Sequence, residues 1–184
     1  MSIRALLLLF VALPAWAGAD CGAWPVGIQP RVVAGKLLAW QGDFNHDGLA
    51  DTVEVVSLAA GFRPPSGIAL INPLDKQPAA VRARGEALAL AITHGAKQGG
   101  CRRFLLVPRD FFDTPIWRAY LEGDAGQATN ISMATAGTRA YAGWKRQVRA
   151  LRGDGIVLAT EAGIDILLYW KGNGYAVFWP DEEP

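Results

Sequence analysis

Apolar and polar positions along this chain change over in short runs and do not settle into a long helical period. Thr52 to Leu58 carries β-branched residues in a partly alternating order, which predicts a strand. Shorter strands are expected at 68–71, 86–93 and 103–107, the last stopped by Pro108. Residues 61–78 hold four prolines and read as loop around the first of these. The last third is the most regular. Apolar runs at 156–161, 164–170 and 175–179 are separated by Ala162-Gly163 and by Lys171-Gly172-Asn173-Gly174, both hairpin connections. They predict a three-stranded antiparallel meander. Helix is scarce. Phe111 to Tyr120 suits a short helical turn, and Tyr141 to Leu151 suits either a helix, with Trp144, Val148 and Leu151 on one side, or a strand entering the meander. The expected fold is mainly β, an antiparallel sheet or sandwich with a C-terminal meander and few short helices.

Residues 43–54 interrupt the apolar pattern with oxygen. Asp43, Asn45 and Asp47 occupy alternate positions, and Gly48 follows the third. A hard cation such as Ca²⁺ takes six to eight oxygens around one point. A short loop supplies them when alternate side chains turn inward and the chain bends sharply midway, where glycine accepts a positive φ. Leu49 then offers its backbone carbonyl, and Asp51 a further carboxylate directly or through water. Asp, Asn and Gly also cluster in ordinary turns, but a turn needs two or three of them and not this series. With Glu54 at the twelfth position the stretch satisfies the EF-hand pattern as well. That reading requires flanking helices, and Val53, Val55 and Val56 favour a strand.

The run Gly42-Asp43-Phe44-Asn45-His46-Asp47-Gly48-Leu49-Ala50-Asp51-Thr52-Val53 resembles the calcium loop of FG-GAP/VCBS-type repeats, G-D-[FL]-N-x-D-G-x-x-D followed by a strand. The resemblance covers about 15 residues. It implies a loop between two strands that holds Ca²⁺ through Asp43, Asn45, Asp47 and Asp51 side chains and the Leu49 carbonyl, with Glu54 an ordinary strand residue. Family members build propellers from many such repeats, and a propeller needs about four blades or more. This chain has one loop. It looks instead like the small secreted bacterial proteins that carry a single motif and end in a meander, a resemblance that implies no particular activity.

The ends of the chain suggest a compartment. Arg4, the apolar run from Ala5 to Leu13, the break at Pro14 and the small residues around Ala15 to Ala19 have the form of a secretory signal peptide over 1–19. The apolar run is too short to span a bilayer, and Asp20 before Cys21 argues against a lipid anchor. Residues 20–184 are then expected as one domain. Taking Arg4 from the 18 basic residues leaves 17 against 17 acidic ones, which argues against nucleic-acid or membrane-surface binding driven by bulk charge. Cys21 and Cys101 lack metal-site spacing and in an oxidising compartment predict one disulfide.

Other candidate chemistry is thin. His46, at the fourth loop position, is expected to face solvent, and His94 to be a surface residue at a strand end. Ser57, Ser66 and Ser132 lie in no nucleophile-elbow context. Arg152-Gly153-Asp154 matches an adhesion tripeptide but is explained by a hairpin turn. Arg102-Arg103 and Arg82/Arg84 read as solvated basic patches. Trp117, Trp144, Trp170 and Trp179 suit core packing better than a glycan-binding face. The expected protein is a secreted or periplasmic, non-enzymatic binding or envelope-associated protein with a structural calcium and an unknown protein or glycan ligand. The alternative is a secreted hydrolase whose acidic loop is structural.

Overall fold

The computed structural model describes residues 21–33, 35–71, 87–96, 100–107, 130–159 and 165–180. The first sheet is built on β5 (Asp51–Leu58) and β7 (Ala87–His94), antiparallel from Thr52↔Thr93 to Leu58↔Ala87. β8 (Arg102–Leu106) pairs antiparallel with β7, and β6 (Ile68–Ile71) adds to β8 in parallel. The other edge of β5 is shared. β1 (Ile28–Pro30) covers its C-terminal half and β4 (Ala39–Gly42) its N-terminal half, both antiparallel. A small hairpin of β2 (Val32–Val33) and β3 (Lys36–Leu37) lies between these two strands in sequence.

The second sheet is an antiparallel meander in the order β9 (Ile131–Ala134), β10 (Gly155–Leu158), β11 (Ile166–Trp170) and β12 (Tyr175–Phe178). The three expected strands are therefore part of a four-stranded unit. β9 escaped the pattern because only Ile131 and Ala134 of its four residues are buried. Between β9 and β10 the ambiguous segment forms helix α1 (Arg139–Gln147). Thr138 caps it by accepting the Tyr141 N–H, and Lys145 and Arg146 sit at its carbonyl end, where positive charge is favourable.

The sheets pack face to face. Val53, Val55, Leu90, Ile92, Phe104 and Leu106 from the first share one apolar core with Ile156, Leu158, Ile166, Leu168, Trp170 and Tyr175 from the second. Alternation sends the other residues of each strand outward. Val56, Leu58, Ala89, Ala91 and Leu105 form a second cluster with Ile28 and Phe62. On the far side of the meander, α1 lays Tyr141 and Trp144 against Val157, Leu167 and Phe178.

Cys21 and Cys101 form the expected disulfide. Arg103 reinforces it, contrary to its expected place on a solvated patch. Its guanidinium donates to the carbonyls of Cys21, Gly22 and Ala23 and lies 4.7 Å from the Trp24 ring centre. The Trp24 indole N–H donates to Glu54 Oε2 at 2.6 Å. Glu54 thus engages the N-terminal segment, as a strand residue. The expectations for 1–19, Arg82/Arg84, 111–120 and the Ala162-Gly163 connection lie outside the described residues.

Candidate metal centre

The acidic loop joins β4 to β5, two strands and not two helices, and the Gly42↔Asp51 pair closes its base. Gly48 has φ +79°, the bend that the sequence assigned to it, and His46 also takes a left-handed φ of 62° while its side chain stays exposed. Phe44 is buried in the core between the sheets and anchors the loop there. Burying such a ring contributes roughly 1.5–3 kcal/mol.

The inward oxygens form a ring of short bonds. Asp43 Oδ1 accepts the Asp47 N–H and Oδ2 the Gly48 N–H, both at 3.0 Å. Asn45 Oδ1 also accepts the Asp47 N–H, and its amide donates to Asp47 Oδ2. Asp47 Oδ1 accepts the Leu49 N–H at 2.8 Å. Asp51 is fully buried at the base. Its Oδ2 accepts from the Phe44 and Asn45 N–H groups and its Oδ1 from the Gly95 N–H. Burial pushes its pKa up to about 6 against the pull of those three donors, and the Asp47 charge adds to the rise.

A residue outside the loop completes it. Asp154 Oδ2 accepts the Asp43 N–H at 3.0 Å, its Oδ1 accepts the Ala136 N–H at 2.7 Å, and its own N–H donates to the Asp43 carbonyl at 2.8 Å. Gly153 lies so close to the Asp43 and Phe44 carbonyls that a β-carbon there would collide with both. The Arg152-Gly153-Asp154 tripeptide is thus a docking turn, with Gly153 and Asp154 buried, and offers no exposed adhesion loop.

His94 overturns the expectation of a surface residue. It is 2% exposed, and its Nε2 lies 2.8 Å from the Tyr175 hydroxyl. Phe104 and Trp170 rings stand 4.9 Å from its ring centre. Burial, aided by the Arg102 charge, lowers its pKa to about 4, so the ring is neutral at neutral pH. Burial also raises the Tyr175 phenol well above its ordinary value, with the Asp51 charge adding to it. Arg102 pairs with His94 in register, is exposed, and lies over the Phe104 and Trp170 rings at about 5.4 and 5.5 Å. A depression of about 410 Å³ opens between the loop edge at Asn45, Asp47 and Leu49 and the His94 and Arg102 side.

Asp43, Asn45, Asp47, Leu49 and Asp51 thus lie together in one loop. Among the described residues no group of three or more His, Cys, Asp or Glu side chains forms a ready metal cluster. In this conformation the carboxylates of Asp43, Asp47 and Asp51 accept backbone N–H groups. The donor set still fits a hard cation, because each carboxylate oxygen can accept about two bonds and most of these accept one. The sequence reading missed the part of Asp154. Its one signal was the Gly-Asp-Gly around it, which echoes the loop without its alternating oxygens.

No protein-family model, curated protein or solved structure matches this chain.

Proposed function

We propose that this is a secreted or periplasmic protein that acts by binding and not by catalysis, and that Asp43, Asn45, Asp47, Asp51 and the Leu49 carbonyl hold a structural Ca²⁺. The observation that carries the reading is the place of the loop. It is anchored by Phe44 in the core and by Asp154 in the turn that leads into β10, so the loop is tied to both sheets. A bound Ca²⁺ would neutralise adjacent carboxylates and stiffen the turn. Extracellular calcium modules bind at about 10⁻⁴–10⁻³ M, which suits a site kept filled by its surroundings. The disulfide is compatible with an oxidising compartment.

Two observations weigh against the hydrolase reading. Asp51, whose raised pKa would suit a general acid or base, is fully buried and is not among the residues that line the depression. The depression beside it has no Ser, Thr or Cys among its described lining residues. Titration calorimetry with Ca²⁺, combined with melting in EDTA, tests the calcium reading. Heat of binding and a fall in Tm on chelation are expected. No heat and an unchanged Tm would remove it.

A further inference from the structure

We propose that a second depression, between the N-terminal segment and the outer face of the first sheet, binds a neutral saccharide through Thr93, Thr52 and Glu54, with Trp24 in its apolar wall. The inference rests on the reading that the protein acts by binding, gives that reading a site and a ligand class, and does not depend on the calcium.

Strand alternation builds the site. Val53, Val55, Ile92 and Phe104 point into the core between the sheets, so Thr52, Glu54, Thr93 and Arg103 stand on the opposite face. Register sets Thr52, Thr93 and Arg103 side by side across β5, β7 and β8. Residues 21–24, fastened by the Cys21–Cys101 disulfide and by Arg103, form the facing wall. The depression measures about 560 Å³, within the range of small-molecule sites, and Ile28 and Pro30 add to its apolar lining.

Thr93 carries the inference. It is 8% exposed, it lines this depression, and its hydroxyl has no described hydrogen-bond partner. That hydroxyl is not sealed in. Among the described residues, the side-chain polar atoms cut off from both solvent and partners are His94 Nδ1 and Arg103 Nε. The small surface that Thr93 keeps therefore includes its hydroxyl, which opens into the depression. Thr52 lies directly opposite on β5. Such a pair holds its β-carbons about 4.5–5.5 Å apart, close enough for both hydroxyls to meet one sugar ring. Glu54 adds an acceptor, since its Oε2 takes the Trp24 indole N–H and its Oε1 has no described partner.

Charge and hydrogen bonding set the class of ligand. The described lining holds one carboxylate, Glu54, and one cation, Arg103, and is neutral as a whole. Arg103 already donates to the carbonyls of Cys21, Gly22 and Ala23, so an anionic ligand finds those donors engaged and faces Glu54. An amine faces Arg103. A sugar carries hydroxyls that both donate and accept, which suits two threonine hydroxyls and an accept-only carboxylate oxygen. Its C–H surface suits the wall of Trp24, Ile28 and Pro30.

The test titrates glucose, galactose, mannose and N-acetylglucosamine into the disulfide-bonded protein, with glucuronate and glucosamine as charged counterparts. It follows the Thr52 and Thr93 methyl signals and the Trp24 indole N–H by NMR. At least one neutral sugar should shift all three. Thr93→Val should keep or raise the Tm, because the hydroxyl it removes has no partner in the fold, and should weaken that sugar by about two- to twelvefold, the worth of one neutral hydrogen bond. Glu54→Gln keeps an acceptor for the Trp24 indole and should weaken it by about tenfold or more. The proposal is overturned if no neutral sugar moves the Thr93 methyl signal, if Thr93→Val binds equally well, or if glucuronate or glucosamine binds more tightly than the neutral sugars. Calorimetry with Ca²⁺ separates the two readings. Calcium heat without a sugar response overturns the saccharide site alone. A sugar response without calcium heat supports the saccharide site and counts against the calcium reading.

Discussion

Asp43 and Asp154, 111 residues apart, hold each other by a reciprocal pair of bonds. The Asp43 N–H donates to Asp154 Oδ2, and the Asp154 N–H donates to the Asp43 carbonyl. The first loop oxygen is thereby tied to the turn that leads into β10, and the acidic loop becomes a joint between the two sheets.

That joint should be sensitive to one side chain. Asp154→Ala leaves the Asp43 and Ala136 N–H groups without their acceptor and should cost about 2–6 kcal/mol, at about 1–3 kcal/mol for each donor left unsatisfied. Asp154→Asn keeps one acceptor oxygen and should cost less. Urea denaturation of the two variants gives the order.

Two glycines should respond in opposite directions to the same methyl group. Gly153→Ala drives a β-carbon into the Asp43 and Phe44 carbonyls, which are backbone and yield little. Overpacking of this kind costs about 1–3 kcal/mol or more. Gly143, within α1, has open space around its β-position, and Gly143→Ala should stabilise the protein by about 0.5–1 kcal/mol. Paired melting curves check both.

Calcium should stabilise the fold by mass action, by about 2.7 kcal/mol at a free concentration of 100 Kd. Asp47→Ala should remove most of that gain. Its Tm should fall clearly with Ca²⁺ present and much less in EDTA, and an equal fall in both would identify the loop as a plain turn.

The metal-free protein should show two opposing pH terms. The folded His94 titrates near 4 against 6.5 when unfolded, so the unfolded chain binds more protons between these values. That stability is complete above pH 6.5 and is lost as pH falls toward 4. Asp51 runs the other way. Its folded carboxyl keeps a proton up to about 6 against 3.8 unfolded, so its term is complete below pH 3.8 and is lost as pH rises through 6. Each is on the order of 3 kcal/mol, and they should nearly cancel between pH 4 and 6. His94→Gln should uncover the Asp51 term as stability that falls with rising pH in urea titrations.

Reduction of Cys21–Cys101, with a sequence separation of 80, should cost about 4 kcal/mol in the chain-entropy picture. Arg103 and the Trp24–Glu54 bond should keep residues 21–24 docked in the reduced protein, which limited proteolysis would detect as slow cleavage there.

Most strands were legible because each is a short local run of apolar residues bounded by turn residues. Ile68 to Ile71 matches β6, and the 86–93 run matches β7 to within a residue. β9 was not legible, since Ile131-Ser132-Met133-Ala134 is strand only because β10 lies beside it. His94 misled for a similar reason. A histidine before glycine reads as a strand end, and it is one, but the second sheet brings Trp170 and Tyr175 over it.

By itself the chain determined its class, its disulfide partners and the loop between two strands, because alternation, cysteine parity and the D-x-N-x-D-G spacing act over a few residues or by elimination. Tertiary structure alone decided that Asp51 is buried under three backbone donors, that His94 sits among aromatic rings, and that Asp154 closes the loop from the turn before β10. Those relationships join residues up to 111 positions apart, and only the packing of one sheet on the other brings them within hydrogen-bond distance.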